Sequence, residues 1–209
     1  MQPIKNTAQL NSLKSLDKTH RVFVVALVAL LVFQAGCGGQ NTASSGSAAA
    51  NASRYPNLKA QADQLNQASL TGDDDRVINL TYPKLIELMG GREEFLANSD
   101  AIRSEIESQK LQVLSATAED PKDIIEVNNQ IYAIVPVTMR MKTPEGVLVG
   151  RSFMIGVSDD RGQNWKFVSA GSGQLDPDQL KALFPAAADK LQIPENEEPV
   201  LEGAQSPKP

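Results

Sequence analysis

Cysteine, histidine and concentrated positive charge are what this chain has least of. Cys37 is the only cysteine in 209 residues, so no disulfide can close within the chain. His20 is the only histidine. It lies in an N-terminal stretch with the features of a removable export segment. The rest of the chain is therefore left without a Ser-His-Asp triad, a Cys-His pair or a histidine-based metal site. Bases number 20 against 25 acids, and phosphate binding needs a concentrated basic face, which argues against nucleic acid as a partner. The apolar run at residues 22–33 stops at Gln34, short of the roughly 20 residues that a spanning helix needs.

The residues on either side of that run carry the clearest signal. Lys5, Lys14, Lys18 and Arg21 precede it with one acid, Asp17, the charge order of an export signal. Directly after it, Gln34-Ala35-Gly36-Cys37 resembles the lipobox of bacterial lipoproteins, in which two small residues precede the cysteine that becomes the acylated N-terminus. Gln34 departs from the aliphatic residue usual at that position. An ordinary cleaved signal or a short retained anchor, with Cys37 incidental, is the alternative reading. The resemblance implies removal of residues 1–36, lipidation of Cys37, and export with the lipid bilayer as a partner. Gly38 after the cysteine, where Asp would retain a lipoprotein at the inner membrane, implies an outer-membrane lipoprotein facing the periplasm. Residues 1–36 hold four bases and one acid, so residues 37–209 hold 16 bases and 24 acids, a formal charge of −8. Adhesion to an anionic bilayer by charge is not expected. The acyl chains would have to provide attachment, and one chain alone holds weakly.

Residues 37–53 are rich in Gly, Ser and Ala and read as a flexible tether. Residues 54–193 read as a single domain. Residues 194–209 combine Pro194, Pro199, Pro207 and Pro209 with Glu195, Glu197, Glu198 and Glu202 and read as a disordered acidic tail.

Within the domain the apolar period changes from helical to strand-like. Leu58, Ala62, Leu65 and Ala68 recur at spacings of three and four, which predicts an amphipathic helix over 56–70, ended by Thr71-Gly72. Asp73, Asp74 and Asp75 suit the start of a second helix, as N-cap and as carboxylates at its positive end. Pro83 interrupts that helix or opens a new one over 84–89. A third helix is expected over 92–108, burying Phe95, Ile102 and Ile106. Strands are expected at 111–118, with Leu111, Val113, Ser115 and Thr117 on one face, and at 124–127. In 131–141, Ile131, Ala133, Val135, Val137, Met139 and Met141 share a face against Tyr132, Thr138 and Arg140. Pro136 marks that strand as an edge or as bulged. The last two strands, 147–158 and 164–170, form an antiparallel hairpin closed by a turn containing Gly162. A helix over 177–184 starts at the N-cap Asp176 and stops at Pro185.

Helices first and an antiparallel sheet after predict an α+β domain with three N-terminal helices packed on a curved sheet. The element order, the Trp165-Lys166-Phe167 strand and the break at Leu80-Thr81-Tyr82-Pro83 resemble the NTF2-like group, the cone-shaped, cystatin-like architecture of SnoaL-like and ketosteroid-isomerase-like proteins. The resemblance spans about residues 56–170 and is one of pattern. It implies an apolar pocket between sheet and helices, used by some members for catalysis and by others for binding or dimerisation.

The residues offer few chemical candidates. Tyr82 suits a pocket mouth through its apolar ring and hydroxyl tip, with a packed core tyrosine as the alternative. Arg151 has the parity of Phe153, Ile155 and Val157. It could bind an anionic ligand, although a strand end or snorkelling would place it in solvent, which is the favoured reading. Three adjacent acids at 73–75 diverge around a helix start, so capping explains them better than a metal does. Ser158, Asp160, Gly162 and Trp165 match the Ser-x-Asp-x-Gly-x-x-Trp pattern of Asp-box hairpins. A single copy excludes a propeller and leaves a structural turn. The preferred reading has no catalytic residue, metal or cofactor: a membrane-tethered binding or assembly domain for an unknown protein or small apolar ligand, with a homodimer possible. The alternative is a SnoaL-like lyase or isomerase with Asp75 or Glu87 as base.

Overall fold

The computed structural model describes residues 54–170, 175–195 and 197–203. The signal, Cys37 and the tether lie outside these residues. Four helices come first: α1 (Leu58–Thr71), α2 (Asp74–Leu80), α3 (Pro83–Leu88) and α4 (Arg92–Ser108). The strands β1 (Gln112–Ala118), β2 (Asp123–Val127), β3 (Gln130–Thr143), β4 (Gly146–Ser158) and β5 (Lys166–Ser169) follow, then α5 (Pro177–Leu183) and β6 (Val200–Leu201). The class is α+β, with helices on a curled, antiparallel sheet.

The apolar stripe of α1 is the one its spacing predicts: Leu58, Ala62, Leu65 and Ala68 are buried, and Gly72 in the left-handed region (φ +70°) ends the helix. The expected second helix is two. Thr81 and Tyr82 are extended, Thr81 forms a parallel bridge with Phe167, and Pro83 takes the first turn of α3, where its missing amide hydrogen costs nothing. Ile102 is the clear miss on α4. It is 63% exposed, and Phe95 alone of the three expected residues is fully buried, because only the N-terminal turns of that helix reach the core.

The long β3–β4 hairpin runs through the middle of the sheet, paired without a register break from Ile131↔Ser158 to Thr143↔Gly146. On its β3 side β2 and then β1 lie end to end; on its β4 side are β5 and β6. This arrangement overturns the edge-or-bulge expectation for Pro136. The strand is central, and Pro136 pairs regularly with Phe153. The Pro136 carbonyl faces the gap where the chain crosses from β1 to β2, accepting from Glu119 N at 2.8 Å. A strand residue directs its N–H and C=O to the same side, so the missing donor falls where no ladder requires it.

Strand β1 is also corrected. Its pairing shifts between Val113 and Ser115, so Leu114 is an extra residue and the inward parity changes. Ala116 and Ala118 then face the core, while Thr117 is exposed. The tight turn between β2 and β3 is made by Asn128 and Asn129, both with positive φ (52° and 63°), the geometry of a two-residue hairpin loop.

Over residues 131–137 and 153–158 both faces of the sheet are buried, where the alternation in β3 indicates one. On the first, Ile131, Ala133, Val135 and Met154 meet α1, Trp165 and Phe167. On the second, Tyr132, Ile134, Phe153 and Ile155 are covered by Leu180, Leu183, Phe184 and Leu191 from α5 and the chain after it. Helix α5 is fixed by a capping box in which the Asp176 side chain accepts from Gln179 N at 2.8 Å. Val200 and Leu201, in a stretch read from composition as tail, instead pair with Val149 and Leu148 of β4.

Candidate functional site

Tyr82 sits at the start of α3, its amide donating to the Phe167 carbonyl at 2.9 Å. Its ring stacks on Phe184 at 5.5 Å between centroids, and Tyr132 meets Phe184 edge-on at 5.8 Å. Burial, then the charges of Asp159 and Glu87, raise the Tyr82 phenol above its usual range. Burial, then Tyr82 itself, does the same to Tyr132, whose hydroxyl donates to Gln130 Oε1 at 2.7 Å. Phe184 and Tyr132 thus pack with Tyr82 as a cluster of three rings on the second face.

Arg151 lies elsewhere. Five residues along β4, about 17 Å of extended chain, separate it from Gly156, the partner of Phe167 beside Tyr82. The two candidates therefore do not share a site. Arg151 borders a shallow depression of about 190 Å³ with Lys122, Glu119, Pro194, Glu195 and Glu197. Its guanidinium is exposed and pairs with Glu197 at 3.0 Å. Asp75 and Glu87 are both exposed, and Asp75 pairs with Arg92 at 2.6 Å. Asp73 caps α2 by accepting from Arg76 N at 3.1 Å. No group of three or more His, Cys, Asp or Glu side chains that could hold a metal is present among the described residues.

The most elaborate polar geometry is in the β4–β5 loop. Asp160 Oδ1 accepts from Ser158 Oγ (2.8 Å), Gln163 N (3.0 Å) and Asn164 N (2.9 Å), and Oδ2 accepts from Asn164 Nδ2 (2.7 Å). The Asn164 amide above all, then its side chain and Ser158, lower the Asp160 carboxyl from 3.8 to about 2. Ser158 Oγ accepts from Gly162 N, and Trp165 Nε1 donates to the Gly162 carbonyl at 3.1 Å. Helix α1 grips this loop from outside. Asn57 and Gln61 both donate to the Gln163 carbonyl (2.5 and 3.0 Å), while Tyr55 meets Trp165 edge-on at 5.5 Å. The Asp160 carboxylate and the Ser158 hydroxyl are both taken up by groups of the loop itself, which is the geometry of a structural clamp.

No family model and no curated protein matches this chain.

Sequence reasoning missed the C-terminal contact. Arg140 Nη2 donates to both carboxylate oxygens of Glu202, at 2.8 and 2.6 Å, and Glu202 N donates to the Val147 carbonyl at 2.7 Å. The available signal was the adjacent pair Val200-Leu201, two apolar residues, the first β-branched, inside an otherwise acidic, proline-rich stretch.

Proposed function

We propose that the protein is an exported lipoprotein, anchored in the outer membrane through an acylated Cys37. It presents to the periplasm an NTF2-like α+β domain whose task is binding or assembly rather than catalysis. The lipobox-like tetrad and the basic-then-apolar segment before it support the anchor. Helices before an antiparallel sheet, with the Thr81–Phe167 bridge at the helix break, support the fold assignment.

The filled interior carries the functional half. Trp165 and Phe167 on one face of the sheet and Phe184 on the other are completely buried. Large aromatic side chains at the centre of each face, with Asp75 and Glu87 both exposed, support binding or assembly over a buried carboxylate base. Two measurements test this reading. Mass spectrometry of the mature N-terminus should find a diacylglyceryl-modified Cys37; an unmodified peptide starting elsewhere sinks the anchor. Native pull-down from detergent-solubilised membranes should recover a stoichiometric partner; recovery of the protein alone, together with turnover of a small apolar substrate, sinks the binding role.

A further inference from the structure

We propose that the edge of β4 at residues 147–151, flanked by Arg140 and Arg151, is a docking site for an extended acidic segment of a second protein, held in reserve by residues 197–203 of this chain. The inference deepens the binding-module reading and rests on it.

The structure contains the recognition already made in cis. Val200 and Leu201 add a strand to β4, and main-chain pairing of this kind is indifferent to side chains, so specificity must come from the groups on either face. On the face of Val149 and Val200, Glu202 meets Arg140, and Glu197, ahead of the strand, reaches Arg151. On the other, Pro199 and Leu201 lie at van der Waals distance over glycines: a Cβ at Gly150 would meet Pro199 at 3.7 Å, and one at Gly146 would meet Leu201 at 3.5 Å. The ligand pattern is therefore an acid, a short apolar stretch with alternate residues inward, and a second acid five positions on.

The cis segment is a weak occupant. Its strand has two residues, Val200 and Leu201 are 60% and 40% exposed, and both ion pairs are open to solvent, where such pairs contribute little. Being part of the chain, it needs little intrinsic affinity to stay in place, and a free peptide of the same pattern can compete with it. Charge selects a foreign partner over a second copy. Arg140, Lys142, Arg151 and Lys122 are basic residues of β3, β4 and the β1–β2 connection in a processed chain of net charge −8. An acidic segment is attracted to them, while two whole copies repel.

The test uses the full chain and a labelled synthetic peptide of residues 197–203. In a Glu197→Gln/Glu202→Gln variant, which loosens the cis strand and leaves both arginines, the peptide should bind at least about fivefold more tightly than to the unaltered chain. Amide shifts should concentrate at residues 147–151. Adding Arg140→Gln and Arg151→Gln should abolish that gain. Equal binding to all three proteins, or none to the first variant, overturns the site. Concentration-dependent dimerisation of the unaltered chain that Arg140→Gln abolishes overturns the choice of a foreign partner. Hydrogen exchange on the unaltered chain is independent of any variant: amides of residues 200–203 should exchange far faster than those of β3, and equal protection overturns the reserve role. Failure here leaves Cys37 acylation and the pull-down result intact, so the two readings fail separately.

Discussion

Gln61 and Trp165 are hydrogen-bonded, side chain to backbone, at 2.8 Å across 104 residues of sequence. The same Gln61 amide donates to the Gln163 carbonyl, so one side chain on α1 holds both sides of the last turn of the β4–β5 loop. Gln61→Ala removes both bonds and leaves the part-buried Trp165 N–H unpaired, while the exposed Gln163 carbonyl keeps Asn57 as a donor. The expected loss is about 1–3 kcal/mol. Urea unfolding followed by the fluorescence of Trp165, the only tryptophan, reads it directly; a change below the error of the fit would show that the clamp is incidental.

Gly162 has φ +84°, and a Cβ there would run into the Tyr55 ring. Gly162→Ala therefore combines a strained backbone with overpacking, and should cost about 3 kcal/mol. Tyr55→Ala in the same chain relieves the second contribution only. The double variant should be less destabilised than the two single effects added together, and simple additivity in thermal melts would contradict the contact.

Asp160 sets an acid limb of stability. Its carboxyl is lowered from 3.8 to about 2 in the folded chain, so its stabilising contribution is complete above about pH 4 and is lost as the pH falls toward 2. Asp160→Asn should be less stable than the unaltered protein at pH 7. The gap should narrow between pH 4 and pH 2. A gap independent of pH would show that the shape of the side chain, and not its charge, holds the turn.

Tyr82 separates packing from chemistry. Tyr82→Phe keeps the stack on Phe184 and should change stability by less than about 0.5 kcal/mol. Tyr82→Ala should cost about 2 kcal/mol by emptying a half-buried ring position. If Tyr82→Phe instead abolished capture of a partner with stability unchanged, the hydroxyl would be part of the binding site.

Asn66 is a buried residue of α1, 6% exposed, and its Nδ2 has no hydrogen-bond partner. Replacing it with an apolar residue of similar size removes an unmet polar demand. Asn66→Leu should raise stability by about 1–2 kcal/mol, seen as a higher urea midpoint with an unchanged slope. A loss of stability would imply that the amide is satisfied in solution.

Local chemistry was legible in the sequence and distant packing was not. The stripe of α1, the N-caps at Asp73 and Asp176 and the Ser158–Trp165 turn each depend on residues within a few positions of one another, and the sequence pattern predicts them. The exposure of Ile102 depends on which part of α4 meets the core. The burial of Tyr132 and Ile134 depends on α5, about 45 residues later, covering the second face. At the candidate site, the exposure of Arg151 was readable from its charge. Its partner Glu197 was not, because composition describes an acidic stretch without saying what it pairs with.

Pro136 has a further consequence for how the chain finds a single pairing. If β3 slipped by one residue against β4, every side chain would change faces and the Pro136 nitrogen would turn toward β4, where a ladder donor is needed. The slipped sheet would lose that bond as well as its buried face. One ring in the middle of the longest strand thus penalises mispairing of the hairpin by itself, whether or not a helix is docked on the sheet.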